Sequence, residues 1–261
     1  MNISLKGYRA LVCGSTQGLG KAVAIEFAQA GAEVVLFARN EEALRKTLAE
    51  LATPADQQHR YLVADFAEPE QVLQVVSKLA TESTVHIVVN NTSGPNPGPV
   101  TDADPVSFTK AFNQHIVNYQ QIAQQLIPGM KQAGYGRIIN IVSTSVKIPI
   151  ANLGVSNTIR AATAGWSKTL SLEVAKDGIT VNNVLPGYTQ TGRLDYIIAA
   201  NAGKQQVSVK EMAERMKAQI PARRFGKPEE LAAMVAFLAS PAASYVNGTN
   251  IPVDGGSTGA F

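Results

Sequence analysis

Short apolar runs alternate with longer segments of helical periodicity along the whole chain. The short runs are continuously apolar rather than alternating with polar residues, which is typical of strands covered by helices on both faces. The pattern predicts strands over residues 9–13, 33–38, 61–64, 87–90, 137–142, 180–185 and 250–253. It predicts helices over residues 19–30, 41–51, 70–80, 106–130, 158–174 and 229–238. This alternation predicts an α/β fold with a doubly wound parallel sheet flanked by helices.

One segment interrupts the alternation. Residues 187–219 are polar and carry helical periodicity in their second half. Long insertions in compact domains usually serve a function, often as lids. The sequence shows no internal repeat. We therefore interpret residues 1–261 as a single domain with a lid-like insertion.

Composition narrows the class of protein. The chain has 261 residues, of which 45% are hydrophobic and 16% charged, with one cysteine. A chain of this length can bury a full core without disulfides, and a single cysteine excludes an internal disulfide. The charged share lies below the usual value of about 25%, which favours a homo-oligomer.

Charge and hydropathy exclude two kinds of partner. The net charge is +3, and the Lys and Arg residues are scattered rather than gathered into a basic stripe, so no nucleic-acid partner is expected. The longest uncharged apolar stretch is well short of the ~20 residues that span a bilayer. The first residues show no apolar run followed by a cleavage site. We expect a cytoplasmic protein without a membrane partner.

A glycine-rich turn follows the first predicted strand and opens the first predicted helix. Glycines at such a turn let the backbone approach a pyrophosphate, which then lies at the helix N-terminus. The spacing is G-x-x-x-G-x-G rather than the commoner G-x-G-x-x-G, but the strand–turn–helix context favours nucleotide binding. The turn comprises Gly14, Ser15, Thr16, Gln17, Gly18, Leu19 and Gly20.

The end of the second predicted strand bears on the choice of cofactor. A carboxylate there would favour NAD by binding its ribose hydroxyls. The chain instead has Arg39, followed by Asn40. A guanidinium can bind a 2′-phosphate with its planar fork of donors. NADP is therefore expected, with NAD as the alternative.

Ordered motifs along nearly the whole chain carry a family resemblance. They include the glycine turn, the run Asn-Asn-Thr-Ser-Gly over residues 90–94, the strand that ends at Ser143, and the Val-Asp-Gly-Gly run over residues 253–256. On these motifs the chain resembles the short-chain dehydrogenases/reductases, and most closely the 3-oxoacyl-acyl-carrier-protein reductases. The resemblance implies a single-domain Rossmann-like fold and a nicotinamide cofactor. Beyond the glycine turn and Arg39, it implies cofactor contacts from Asp65, Phe66, Asn91, Thr92, Arg160, Pro186, Gly187, Thr189 and Thr191.

The catalytic positions implied by the same resemblance are mostly changed. The family uses a Tyr-x-x-x-Lys pair, in which the Lys lowers the Tyr pKa so that the Tyr can exchange a proton with the substrate oxygen. Counting thirteen residues forward from Ser143 places Ser156 at the Tyr position and Arg160 at the Lys position. The family's fourth residue, an Asn, falls on His115. Only Ser143 matches.

The changed pair has different chemistry. A Ser hydroxyl does not titrate near neutral pH and an Arg stays protonated, so Ser156 and Arg160 cannot replace the proton relay. Arg160 can instead donate to nicotinamide ribose hydroxyls or hold an anionic group. Losing positioned acid–base help costs about 10²- to 10⁴-fold in rate. Candidate substitute proton donors are His115, which titrates near neutrality, and Tyr188. The alternative for both is packing.

Two hypotheses about function remain. The first is an NADP(H)-dependent oxidoreductase that acts on the carbonyl or alcohol of a small molecule, with an acyl thioester as one candidate substrate. In this hypothesis Ser143 polarises the oxygen, and His115, Tyr188 or water supplies the proton. The second is a dinucleotide-binding pseudoenzyme that serves as a sensor or assembly partner. No metal is expected. Because the family commonly pairs its long helices, we expect a homotetramer joined through the helix over 106–130 and the helix that contains Trp166.

Overall fold

The computed structural model describes residues 3–259 and contains a seven-stranded parallel sheet. The strands are β1 Arg9–Cys13, β2 Glu33–Ala38, β3 Arg60–Val63, β4 Ile87–Asn90, β5 Gly136–Ile141, β6 Ile179–Pro186 and β7 Asn250–Val253. Their order is β3-β2-β1-β4-β5-β6-β7. The order reverses between β1 and β4, and the crevice at the carboxyl ends of the strands beside such a reversal is where open α/β sheets bind ligands. The predicted Rossmann-like, doubly wound sheet is confirmed.

Helices cover both faces of the sheet. They are α1 Gly18–Gln29, α2 Glu41–Ala49, α3 Pro69–Glu82, α4 Pro105–Phe112, α5 Asn118–Ala133, α6 Gly154–Val174, α7 Gly192–Gln205, α8 Val209–Ala218 and α9 Pro228–Ala239. Successive β1 residues point to opposite faces. Ala10 and Val12 pack with α1 and α9. Leu11 and Cys13 pack with α3 and α5. Two apolar layers therefore hold the strands, which explains why the strands read as unbroken apolar runs.

The helix predicted over 106–130 has an irregular centre. Asn113–Val117 forms a π-helical turn between α4 and α5, and His115 lies in that turn. A π turn adds a residue to the helix and is often found at functional sites. The helix predicted from 158 also begins earlier, at Gly154, because Val155 and Ile159 pack against Ala111 of α4. Ser156 therefore lies in the first turn of α6.

The insertion over 187–219 is helical in both halves, whereas periodicity was predicted only in the second. In α7 the buried residues Leu194, Ile198 and Ala202 recur every four residues, but apolar residues such as Ile197 and Ala199 lie between them and obscure the pattern. They pack with Met212 and Met216 of α8 in a small apolar cluster of their own. In the described part of the chain, no helix is long and apolar enough to cross a membrane.

An unbroken row of asparagine side chains crosses four neighbouring strands. Asn90, Asn140, Asn183 and Asn250 are register partners on β4, β5, β6 and β7. Each amide nitrogen donates to the next side-chain oxygen, at 2.8 Å, 2.8 Å and 2.7 Å. Asn140 also donates to the Ser167 hydroxyl of α6 at 3.2 Å. The row pairs these buried amides, apart from the Asn90 side-chain oxygen, which has no partner among the described residues. It also ties the strands beneath the crevice to α6.

Candidate active site

The turn between β1 and α1 forms a cradle that requires glycine at two positions. Gly14 has φ +60°, and a Cβ there would lie 2.7 Å from the Asn91 amide nitrogen. A Cβ on Gly20 would collide with the Gly14 carbonyl oxygen. No side chain among residues 3–259 caps α1, whose preceding residue is Gln17. The first N–H groups of α1 are therefore available to an anion, and the cradle fits a pyrophosphate.

Ser15 and Asn91, two of the predicted cofactor-binding residues, hold the backbone of this cradle in place. The Ser15 hydroxyl is buried and accepts the Phe37 N–H at 2.9 Å. The Asn91 side chain donates to the carbonyls of Cys13 and Gly14, each at 3.3 Å. Both side chains are engaged with the protein, so their role in the structure is to hold the turn. Thr16, Gln17 and Leu19 complete the loop and the start of the helix.

The ends of β2 and β3 bring Arg39 beside Asp65. Arg39 is exposed, and its Nη1 lies 3.4 Å from the Asp65 carboxylate. The other Asp65 oxygen accepts the Ala67 N–H at 2.9 Å. Phe66 is buried and packs on Phe37, with ring centroids 5.2 Å apart. A 2′-phosphate could therefore meet a guanidinium at this edge, while Asp65 remains held by its own loop.

The end of β6 approaches the cradle from the other side. Gly187 donates to the Val253 carbonyl at 3.0 Å. Thr189 is buried and bridges to Gly226. The Thr191 methyl group lies 3.4 Å from where a Gly18 Cβ would stand. Residues from Pro186 to Thr191 thus close one wall of the crevice, and α7 starts directly after that wall.

Ser143 lies just beyond the end of β5. Its backbone is extended, and its Oγ accepts the Ser145 N–H at 3.1 Å. A hydroxyl that accepts a hydrogen bond keeps its own hydrogen to donate. Ser156, in the first turn of α6, is half-buried. Neither hydroxyl carries a charge near neutral pH.

Arg160 lies one turn after Ser156 and points toward the same strand end. Its Nη1 donates to the Ile141 carbonyl at 3.2 Å, two residues before Ser143. The side chain is buried, with 8% exposure for the residue. Burial lowers the Arg160 pKa from its ordinary value, and the Arg193 charge lowers it further. Tyr119 opposes this shift.

His115 is completely buried in the π turn. Its Nδ1 lies 3.4 Å from the Tyr119 hydroxyl. Burial, and secondly the Arg160 charge, lower its pKa well below 6.5. The Ser93 backbone opposes the shift in part, although Nε2 forms no hydrogen bond of ordinary geometry with a described residue. His115 is therefore neutral at neutral pH, and this packing does not favour the predicted role as proton donor.

The remaining predicted residues lie at the rim. Tyr188 is exposed and its ring meets Phe225 edge-on, with centroids 6.4 Å apart. The Thr92 hydroxyl accepts from the Gln114 amide at 3.3 Å. The structure therefore brings Ser143, Ser156 and Arg160 together around the end of β5 and the start of α6. It places Tyr188 on the opposite wall.

A family model identifies the protein family to which this chain belongs. The family model described as enoyl-(acyl carrier protein) reductase matches residues 14–258. The chain belongs to the short-chain dehydrogenase/reductase family. The match begins at Gly14 and includes the glycine cradle, the end of β5 and the insertion. The family resemblance inferred from the motifs is confirmed.

Curated members of the family are similar over nearly the whole chain. The NADPH-dependent reductase BacG of Bacillus subtilis is 32% identical over 95% of this chain and 96% of that protein. The 3-oxoacyl-[acyl-carrier-protein] reductase FabG of Vibrio cholerae is 30% identical over 97% of this chain and 98% of that protein. Among solved structures, L-sorbose reductase from Gluconobacter frateurii, in complex with NADPH and L-sorbose, has 30% identity. It superimposes with a TM-score of 0.93 and full coverage of both chains.

Sequence reasoning missed Arg193 as a residue of this site. Its Nη2 lies 3.5 Å from the Pro95 carbonyl oxygen, across the crevice from β5. No motif singled it out, because the predicted cofactor residues of this segment end at Thr191. Its position two residues after Thr191, at the start of α7, was the available signal. It is an arginine at a place where the predicted cofactor wall ends.

Proposed function

We propose that this short-chain dehydrogenase/reductase is an NADPH-dependent oxidoreductase that reduces the carbonyl group of a small molecule. The observation that carries the proposal is the placement of Ser143 and Arg160 at the end of β5, in the same crevice as an uncapped α1 and a glycine-lined cradle. Two relatives, the NADPH-dependent reductase BacG and the L-sorbose reductase in complex with NADPH, support the same activity.

The residues of the cradle and of its two neighbouring walls would bind the cofactor. The turn from Gly14 to Gly20 holds the pyrophosphate with backbone N–H groups. Arg39 binds the 2′-phosphate, and Asp65 and Phe66 border the adenine. Pro186, Gly187, Thr189 and Thr191 flank the nicotinamide. When bound, NADPH supplies a hydride to an electrophilic carbon.

At the reacting end, Ser143 donates a hydrogen bond to the substrate oxygen. Its hydroxyl hydrogen is available because its Oγ already accepts from Ser145. Arg160 places a fixed positive charge close to the oxygen on which negative charge develops, and such preorganised charge stabilises the transition state. Arg160 does not release its proton, because an arginine stays charged.

Water supplies the proton in this proposal. His115 is sealed from solvent and neutral, and Tyr188 packs against Phe225. Ser143 and Ser156 are both half-buried, so the crevice admits water at the place where a tyrosine would otherwise exclude it. The reaction then proceeds with stabilisation of the charge on the substrate oxygen, but without a tyrosine whose pKa is lowered by a lysine. We expect a slower reaction than a Tyr/Lys pair would give, by up to about 10²- to 10⁴-fold.

The test is NADPH oxidation with a panel of simple ketones, 2-oxo acids and 3-oxoacyl thioesters. We expect turnover with at least one class and a loss of about 10²-fold or more in kcat for Ser143→Ala. Thr158→Ala is the matched control, since it removes an exposed hydroxyl of α6 that bonds only to Gly154 of its own helix at 3.0 Å. Equal rates for the two variants would contradict the assigned role of Ser143.

We also propose a homotetramer that forms through α4, α5 and α6. Phe112 and Leu172 are large apolar side chains on these helices, and both are exposed, Leu172 at 69%. An exposed apolar side chain on each of the predicted contact helices supports this assembly. Light scattering that gives the mass of one chain would contradict it. A cytoplasmic location stays a prediction.

A further inference from the structure

Arg160 is a buried cation without an anionic partner. A guanidinium has five N–H donors, and the hydrogen bond to Ile141 uses one of them. No carboxylate in the described part of the chain acts on Arg160, and its charged neighbour there is Arg193. Within residues 3–259, no ion pair includes Arg160 or Arg193. Burying a charge is costly unless it is paired.

Arg137, at the other end of β5, shows how this protein compensates a buried arginine that serves structure. Its guanidinium stacks on the Tyr135 ring at 4.0 Å from the centroid. It also donates to the carbonyls of Gly136 and Gly178, at 2.8 Å and 3.2 Å. Among the described residues, Arg160 donates to one carbonyl and stacks on no aromatic ring. Its positive charge is therefore left for something that enters the crevice.

The two arginines flank the segment that follows β4. Arg160 Nη2 would lie 3.3 Å from a Cβ on Gly94, and Arg193 Nη2 lies 3.5 Å from the Pro95 carbonyl oxygen. Gly94 is exposed and has no side chain, so the space above Arg160 stays open. Arg193 is exposed at the start of α7. Arg160 thus lies at the bottom of the crevice beside β5. Arg193 lies at the edge of the crevice, in the lid-like insertion.

We propose that Arg160 and Arg193 form an anion subsite that binds a carboxylate or phosphate group of the substrate, next to the carbonyl that is reduced. This inference rests on the proposed function and adds the charge class of its substrate. A guanidinium fork matches the geometry of both anions. The two arginines also raise the local concentration of an anionic substrate in the crevice.

The subsite explains why an arginine is useful at position 160. In a proton relay an arginine is inactive, because it stays protonated. For holding an anion, that permanent charge and the planar fork are advantages. The same anion compensates the buried guanidinium. Binding of substrate therefore removes an electrostatic cost that the free protein carries.

Equilibrium binding tests the subsite without requiring turnover. The protein, saturated with NADP⁺, is titrated by calorimetry with oxamate, a non-reducible 2-oxo carboxylate analogue, and with neutral oxamide of the same shape. Inorganic phosphate is the third probe. We expect oxamate or phosphate to bind at least 10-fold more tightly than oxamide, and Arg193→Gln to remove this preference. The tighter of the two anions identifies a carboxylate or a phosphate substrate.

The controls separate the subsite from the cofactor and from folding. Arg215→Gln removes a lid arginine that already pairs with Glu211 at 2.6 Å, and it should keep the preference. Arg160→Lys retains a charge, so partial retention is expected even where Arg160→Gln misfolds. NADP⁺ affinity should change less than 2-fold in Arg193→Gln.

Two results would overturn the inference. One is equal, Arg193-independent affinity for oxamate and oxamide with no phosphate binding. The other is a loss of NADP⁺ affinity in both arginine variants, which would assign the pair to the cofactor. Absence of hydride transfer in the presence of a normal oxamate preference would instead contradict the proposed function and leave the subsite standing.

Discussion

Arg160 donates from Nη1 to the Ile141 carbonyl oxygen at 3.2 Å, which fixes its guanidinium beside the end of β5. Ile141 lies two residues before Ser143, so a permanent positive charge and a hydroxyl donor belong to one strand end. This arrangement can stabilise negative charge on a substrate oxygen, yet it contains no group that titrates near neutral pH. The reaction chemistry of the site therefore depends on charge and on water.

Rebuilding a phenol and an ammonium should raise carbonyl reduction. The double change Ser156→Tyr with Arg160→Lys places a tyrosine in the first turn of α6, one turn before a lysine and near Ser143. We expect kcat to rise at least 10-fold, within the ~10²- to 10⁴-fold range of positioned proton transfer. NADPH oxidation with simple ketones, which carry no anion, measures the gain.

The single variants are the controls for this pair. Ser156→Tyr alone places a phenol beside the retained Arg160 charge, which also lowers a phenol pKa, so this variant should recover part of the gain. Arg160→Lys alone lacks a proton donor. If His115 supplies the proton instead of water, the double variant should gain nothing and His115→Ala should abolish the parent activity. That combination would contradict the assignment of water as the proton source.

Arg39 should set the preference for NADPH over NADH. Arg39→Asp replaces a guanidinium with a carboxylate beside Asp65 and repels a 2′-phosphate. We expect NADPH affinity to fall about 10- to 100-fold, the value of a charged hydrogen bond, with NADH affinity unchanged or higher. Calorimetry with both cofactors measures this. Arg45→Gln, which breaks an exposed pair with Glu41 on α2, should leave both affinities as they are.

Stability should fall in mild acid because His115 resists protonation in the folded protein. Its pKa lies well below 6.5 when folded and near 6.5 when unfolded. Below pH 6.5 the unfolded chain therefore binds more protons, and the free energy of unfolding decreases as pH falls. His86, whose pKa burial also lowers, adds to the slope.

His115→Asn isolates the contribution of His115. Between pH 6.5 and 5 it should reduce the pH slope of the unfolding free energy by up to about 1.4 kcal/mol per unit. Urea unfolding at a series of pH values measures the slope. An unchanged slope would mean that His115 is already protonated or accessible in the folded protein.

The asparagine row should be most sensitive at its centre. Asn140→Ala removes the side chain that accepts from Asn90 and donates to Asn183, and leaves the Asn90 amide nitrogen and the Asn183 amide oxygen without these partners. We expect a loss of about 2–4 kcal/mol in unfolding free energy. Asn250→Ala, at the half-buried end of the row, should cost about 1 kcal/mol. Equal losses in denaturant unfolding would contradict a cooperative row.

The positions of the strands along the chain and the glycine cradle were predictable because both leave local patterns. A buried parallel strand is a continuous apolar run, and a turn that must approach a phosphate requires glycines at fixed places, as at Gly14 and Gly20. These signals depend on neighbouring residues alone. The π turn at His115 left no such pattern, because its extra residue is determined by packing against α6 and not by local propensity.

The arginine pair was only half predictable. Arg160 was found because it stands at a position where the family pattern expects another residue. Arg193 lies 33 residues later in the chain and approaches Arg160 only through the fold. Such a contact can be recognised only when the path of the chain from β6 into α7 is known. The missing carboxylate partner also becomes visible only once every neighbour of Arg160 is known.

The most direct test of the account is transfer of deuterium from the nicotinamide C4 of labelled NADPH to the product. Both C4 positions are labelled in turn, and the ketone, 2-oxo acid and oxoacyl thioester panel is analysed by mass spectrometry. We predict label on the carbinol carbon of at least one product, with the 2-oxo acids among the best substrates and the Ser143→Ala variant transferring far less. Tight NADPH binding without label in any product would contradict the account and identify the chain as a dinucleotide-binding protein without this activity.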